Sequence, residues 1–164
     1  MAGINGLALG FRSDANVRVN KFTVMVKSSA NSSTQKAHYA AVPNAQNAAG
    51  ILGVLTEHFI EPNYFGPQGA NPTTVTGTTP QLYNLTSRGM TLQVNGVARC
   101  ICGVAPINQG DVLVIADNYG RVQSLATSGI ASGSPFYAVG IALHCVTNVN
   151  DVVQANLEFT QGKV

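Results

Sequence analysis

The sequence has no tryptophan, three cysteines and few charges, and each scarcity closes off a class of protein. Its basic residues are not interleaved with aromatics, so the stacking platforms of single-strand nucleic-acid binders are missing. An odd number of cysteines cannot form a complete disulfide framework within one chain, which leaves packing and assembly to supply stability. Charged residues make up 10% of the 164 positions, against about 25% in ordinary globular proteins. No run approaches the roughly 20 apolar residues of a bilayer-spanning helix. The N-terminus lacks the basic region, long apolar stretch and cleavage site of a signal peptide. These absences predict a protein made in a cytoplasm, with neither a membrane nor a nucleic acid as its partner.

In place of charge the chain carries 47 Asn, Gln, Ser and Thr residues, so its surface is largely neutral and polar. Interface cores are depleted of Lys, Glu and Asp, and a chain this poor in charge suits a surface partly covered in its working state. A β-protein rich in polar turns is the plainer explanation. The net charge of +2 is uneven: residues 1–36 hold Arg12, Arg18, Lys21, Lys27 and Lys36 against Asp14, for +4, and the remainder sums to −2. A basic start of this kind fits an acidic surface on another protein chain.

Hydrophobic periodicity predicts a mainly β fold, a small antiparallel β-barrel or sandwich. Residues 1–14 hold three glycines and no sustained period, and read as an extended N-terminal arm; residues 15–164 read as a single β domain. Ala15 to Lys27 alternates with one phase shift, which predicts a bulged strand or two short ones. Short strands follow over Lys36 to Val42 and Ile51 to Ile60, with a turn over Pro43 to Gly50 between them. Residues 61–81 contain four of the seven prolines and a run of threonines, and read as a long loop whose Tyr64 and Phe65 favour a function. Beyond it Met90 to Val94, Val97 to Val104, Asp111 to Ala116, Arg121 to Leu125, Phe136 to Val146 and Val152 to Phe159 read as strands. Asn95-Gly96 is the strongest hairpin signal among the intervening turns.

The candidate chemistry is thin. Cys100 and Cys102 share one face of a strand, but their spacing is wrong for a Cys-x-x-Cys zinc pair, and His144 and Cys145 point to opposite faces. Packing as small apolar residues explains the cysteines better. None of His38, His58 and His144 sits in a recognisable nucleophile context. The glycines at Gly6 and Gly10 lack the strand and the Gly-Lys-Ser/Thr ending of a phosphate loop. No catalytic residue, metal or cofactor is expected.

The stretch Ile107-Asn108-Gln109-Gly110-Asp111-Val112-Leu113-Val114-Ile115, the Gly120-Arg121-Val122 turn and the strand Tyr137-Ala138-Val139-Gly140-Ile141-Ala142-Leu143 resemble tailed-bacteriophage head decoration, or capsid cement, proteins. The earlier Gly50-Ile51-Leu52-Gly53-Val54 is similar to the first strand of that family. The likeness covers about residues 36–60 and 90–160; the Pro-rich loop departs from it. It implies a virion protein on the capsid exterior, a homotrimer that binds the major capsid protein and stabilises the shell without catalysing a reaction. Leu9, Phe11 and Arg12 in the arm, Arg18 just after it, and Tyr64 and Phe65 in the loop are the expected contact residues. Two further readings stand beside it: a receptor- or carbohydrate-binding module stacking sugars on Tyr64 and Phe65, and a small hydrolase using Cys102 or Cys145 with a histidine.

Overall fold

A computed structural model describes residues 6–13, 19–28, 39–57 and 89–164. They form ten strands: β1 (Ala8–Ser13), β2 (Val24–Lys27), β3 (Tyr39–Ala41), β4 (Ile51–Leu55), β5 (Gly89–Gln93), β6 (Gly96–Ile101), β7 (Val112–Ile115), β8 (Val122–Ser124), β9 (Pro135–Ala142) and β10 (Val152–Lys163). A single 3-10 turn, Leu125–Thr127, is the only helical element among the described residues. Five strands close into a barrel in the order β1-β3-β2-β4-β5, and five make a second sheet in the order β6-β10-β9-β7-β8. The pairs are antiparallel apart from β1 with β3. The mainly β expectation holds.

Two cores explain the apolar pattern. In β2, Val24, Met25 and Val26 are all buried, because both faces of this strand are covered. Met25 points into the barrel with Val19, Ala40, Leu55, Met90 and Leu92. Val24 and Val26 pack with Val54 against the inner face of the second sheet, among Cys100, Ile107, Leu113, Ile115, Val139 and Val153. A strand buried on both faces reads as a continuous apolar run, not as an alternation. Burial is worth about 1.5–3 kcal/mol for each such side chain, so the wall shared by barrel and sheet is where the fold is anchored.

A bulge in β4 keeps this wall in phase. Val24 faces Val54, Met25 faces Gly53 and Val26 faces Ile51, which leaves Leu52 as the extra residue. Leu52 packs against the barrel core while Ile51 packs against the other core. Gly53 lies where the backbone of β5 approaches: a Cβ there would come within 2.6 Å of the Gln93 carbonyl oxygen.

The second sheet curls until its first strand meets its last. Just beyond β6, Cys102 bridges Val122, and Gly103 N–H donates to the Val122 carbonyl at 2.7 Å. Gly110 adopts the left-handed φ its turn requires, and the Asn108 amide donates to Asp111 Oδ2 at 2.9 Å, as the Gly-Asp turn predicts.

Two sequence expectations need correction. Residues 8–13, assigned to an extended arm, are instead a barrel strand, paired with β5 from Ala8↔Gln93 to Arg12↔Gly89 and with β3 at Arg12↔Tyr39. Most of β1 is exposed, so backbone pairing rather than side-chain burial holds it, and backbone pairing leaves no hydrophobic period to read. Asn95-Gly96 does not close a hairpin: β5 and β6 belong to different sheets, and the turn carries the chain from one to the other. Among the described residues 19–27, Val24–Lys27 is a regular strand and Val19 an isolated bridge, with Phe22 at φ 70 breaking the extended backbone between them. The long loop over 61–81 lies outside the described residues.

Candidate interaction surface

The tip of the β7–β8 hairpin reaches across to the barrel, where the Val24 amide donates to the Gly120 carbonyl at 2.9 Å. Asp117 organises the tip. Its Oδ1 accepts the Tyr119 and Arg121 amides at 2.9 and 3.3 Å, and its Oδ2 accepts both Arg121 Nε and Nη2 at 2.6 Å. Arg121 Nη1 donates to Asn150 Oδ1 at 2.8 Å, which ties the hairpin to the turn before β10. The guanidinium also lies 5.7 Å from the Tyr119 ring centroid. With its fork engaged in this way, Arg121 acts as a clamp. Tyr119 is left 66% exposed, beside a groove of about 240 Å³ lined by Asn20, Thr23, Ile101, Tyr119, Arg121 and Asn150.

On the other side of the same corner, Phe22 lies between two cations. Lys21 Nζ is 5.2 Å and the Arg99 guanidinium 6.0 Å from its ring centroid. A larger groove of about 330 Å³ opens here between β6 and the barrel, with Phe22, Thr56, Gln93, Val97 and Arg99 in its lining.

The outer face of the second sheet runs on from that groove. Residues directly opposite in a sheet share a face, and Val97 lies opposite Asn156, Arg99 opposite Gln154 and Ile101 opposite Val152. Asn156 lies opposite Ile141, which lies opposite Val112 on β7. Ile141, Leu143 and Val152 are exposed, and Val97, Ile101 and Val112 are half-buried. A solvent-facing sheet surface usually alternates to polar residues; this one carries apolar residues on four strands, with Arg99, Gln154 and Asn156 among them.

Burial raises two of the three thiols. Cys100 is fully buried, and desolvation pushes its thiol up to about 12. Burial also raises Cys102, with the negative charge of Asp151 adding to it. A nucleophilic cysteine needs the thiolate near neutral pH, so Cys102 does not suit the hydrolase reading. Cys145 is exposed, contrary to the packing role expected of it, and its Sγ accepts the Gln109 amide at 3.4 Å.

Of the expected contact residues, Leu9, Phe11 and Arg12 are on β1. Leu9 and Arg12 are exposed, whereas Phe11 is half-buried against the barrel core and so serves the chain's own packing. Arg18, Tyr64 and Phe65 lie outside the described residues. Sequence reasoning missed Phe22 and Arg99, which approach one another only through the junction of the two sheets, and Tyr119 at the hairpin tip. Arg121 was visible only as part of a Gly-Arg-Val turn. No protein family matches the sequence, and no curated relative matches it.

Proposed function

We propose that the chain is a structural decoration protein of a tailed-phage head. It binds the major capsid protein on the outside of the assembled shell, as a homotrimer, and stabilises it without catalysing a reaction. The observation that carries this reading is the outer face of the second sheet. Ile141, Leu143 and Val152 form an exposed apolar strip there, and strips rimmed by polar residues mark protein contacts. The low charge of the whole chain fits the same use. Many modest contacts, repeated by symmetry, supply the binding, with trimerisation raising the effective concentration of each.

The test is a solution mass followed by shell binding. A trimer of the 17.1 kDa chain that co-sediments with undecorated capsids and raises their melting temperature supports the reading. A monomer that leaves capsids unchanged sinks it. Ile141→Asp with Leu143→Asp, both at exposed positions, should abolish trimer or shell binding while leaving the fold intact.

A second reading, a receptor- or carbohydrate-binding module, is favoured by exposed Tyr119 beside Asn20 and Asn150. Aromatic rings with amides at their edge suit sugar recognition. Glycan binding lost in Tyr119→Ala would support it over the first.

A further inference from the structure

We propose that the groove between β6 and the barrel binds an extended peptide strand, with Arg99 receiving a carboxylate side chain of that peptide. The site goes beyond the capsid reading and does not depend on it.

The first argument is the strand edge. β6 pairs with β10 along Gly96–Ile101 and meets β8 only at its end, through the Cys102–Val122 bridge, so its other edge is open between Val97 and that bridge. An unpaired edge presents backbone donors and acceptors that another strand can complete. At one end the chain caps its own edge: Gln93 Nε2 donates to the Val97 carbonyl at 2.7 Å and to the Asn95 carbonyl at 3.2 Å. A side-chain amide thus stands where a neighbouring strand would hydrogen-bond. The groove of about 330 Å³ continues along that edge toward Arg99.

Charge selects the occupant. No aspartate or glutamate is among the described residues lining the groove, and Arg99 makes no ion pair among the described residues. Its guanidinium rests against the Phe22 ring, which supports the cation while leaving its N–H fork for a bidentate partner. A carboxylate matches that fork in shape and charge.

Phe22 supplies an independent pointer. It holds φ 70, a left-handed conformation that is an outlier for a bulky residue, and its amide is fixed to the Leu55 carbonyl at 2.7 Å. Glycine or asparagine would satisfy this turn without strain. A strained aromatic that lines a groove and backs an arginine is the pattern expected where the ring is needed for binding.

The experiment titrates isotope-labelled protein with an acetylated, amidated pentapeptide, Val-Thr-Asp-Val-Thr, and with its Asn analogue, following backbone amides by NMR. The expected result is saturable shifts at Gln93, Gly96–Ile101 and Phe22, with the Asn peptide about ten-fold weaker or worse. Arg99→Gln should erase the difference between the two peptides while leaving the rest of the spectrum unchanged. Phe22→Gly should raise the melting temperature by relieving the backbone and still weaken the Asp peptide. Equal binding of the two peptides, shifts confined to the outer face at Ile141 and Leu143, or displacement of the peptide by equimolar inorganic phosphate would each overturn the proposal. Capsid binding is not measured, so failure here leaves the decoration reading standing, and the reverse.

Discussion

The carbonyl of Gly120, at the tip of the β7–β8 hairpin, accepts the amide of Val24 on the barrel wall at 2.9 Å, and so joins the second sheet to the barrel. Gly120 has φ +68, and a Cβ there would run into the Val24 carbonyl and come within 2.6 Å of Thr23 Cγ2. Gly120→Ala should therefore combine backbone strain with a clash against main chain, and lower stability by about 2–4 kcal/mol in urea unfolding. Gly110→Ala is the control. It also has positive φ, +87, but open space around the added methyl, and should cost only about 1 kcal/mol. Equal costs would mean that the contact between hairpin and barrel is not tight.

Asn47 mimics a strand. Its Nδ2 donates to the Pro135 carbonyl and its Oδ1 accepts the Tyr137 amide, each at 2.9 Å, while its own amide donates to the Ile115 carbonyl. One side chain thus pairs with the backbone at the start of β9 and one amide with the end of β7, where their register slips between Leu113 and Val114. Asn47→Ala should lower stability by about 1–3 kcal/mol, since two backbone groups lose partners. Asn47→Gly removes the same bonds but suits the residue's φ of 52, and should cost less than Asn47→Ala. Faster amide exchange at Tyr137 in both variants would confirm the pairing.

Strand β10 was legible because it buries one face, with Val153, Ala155 and Leu157 inside, and β7 and β8 because Gly110 and Gly120 mark their turns. The run Val24-Met25-Val26 reads from sequence as part of an alternating strand, and nothing in it shows that two different cores divide it. Asn95-Gly96 has the chemistry of a tight turn whatever the strands beside it do next, so sequence could not say that they part into separate sheets. The outer face was the least legible. Ile141 and Val152 look like core positions until the register places them opposite Asn156 and Ile101 on the solvent side.

The buried thiols predict loss of stability in base. The Cys100 thiol ionises from its ordinary value near 9 when unfolded, but is pushed up to about 12 in the fold. Above pH 9 the unfolded state therefore holds fewer protons than the folded one, and stability falls as pH rises from about 9 toward 12. Its contribution is fully present below pH 9, and raised Cys102 acts in the same direction. The urea midpoint should drop between pH 8 and 10.5 in wild type and drop less steeply in Cys100→Ala. A thiol reagent at pH 8 should modify Cys145 at once and Cys100 only on unfolding; early modification of Cys100 would show that its burial is not maintained.

Removing residues 2–13 tests what the N-terminal segment does. A dispensable arm would leave a folded protein. Strand β1, however, supplies both the antiparallel partner of β5 and the parallel partner of β3, so its loss opens the barrel. Two unpaired edges would then flank Met25, Leu55 and Leu92. The truncated chain should bind a hydrophobic dye, lose cooperative unfolding and associate through the exposed edges. Leu9→Ser and Arg12→Ser, at exposed positions on the same strand, should each change stability by no more than about 0.5 kcal/mol. Cooperative unfolding of the truncated chain at the wild-type midpoint would refute the structural role and restore the arm.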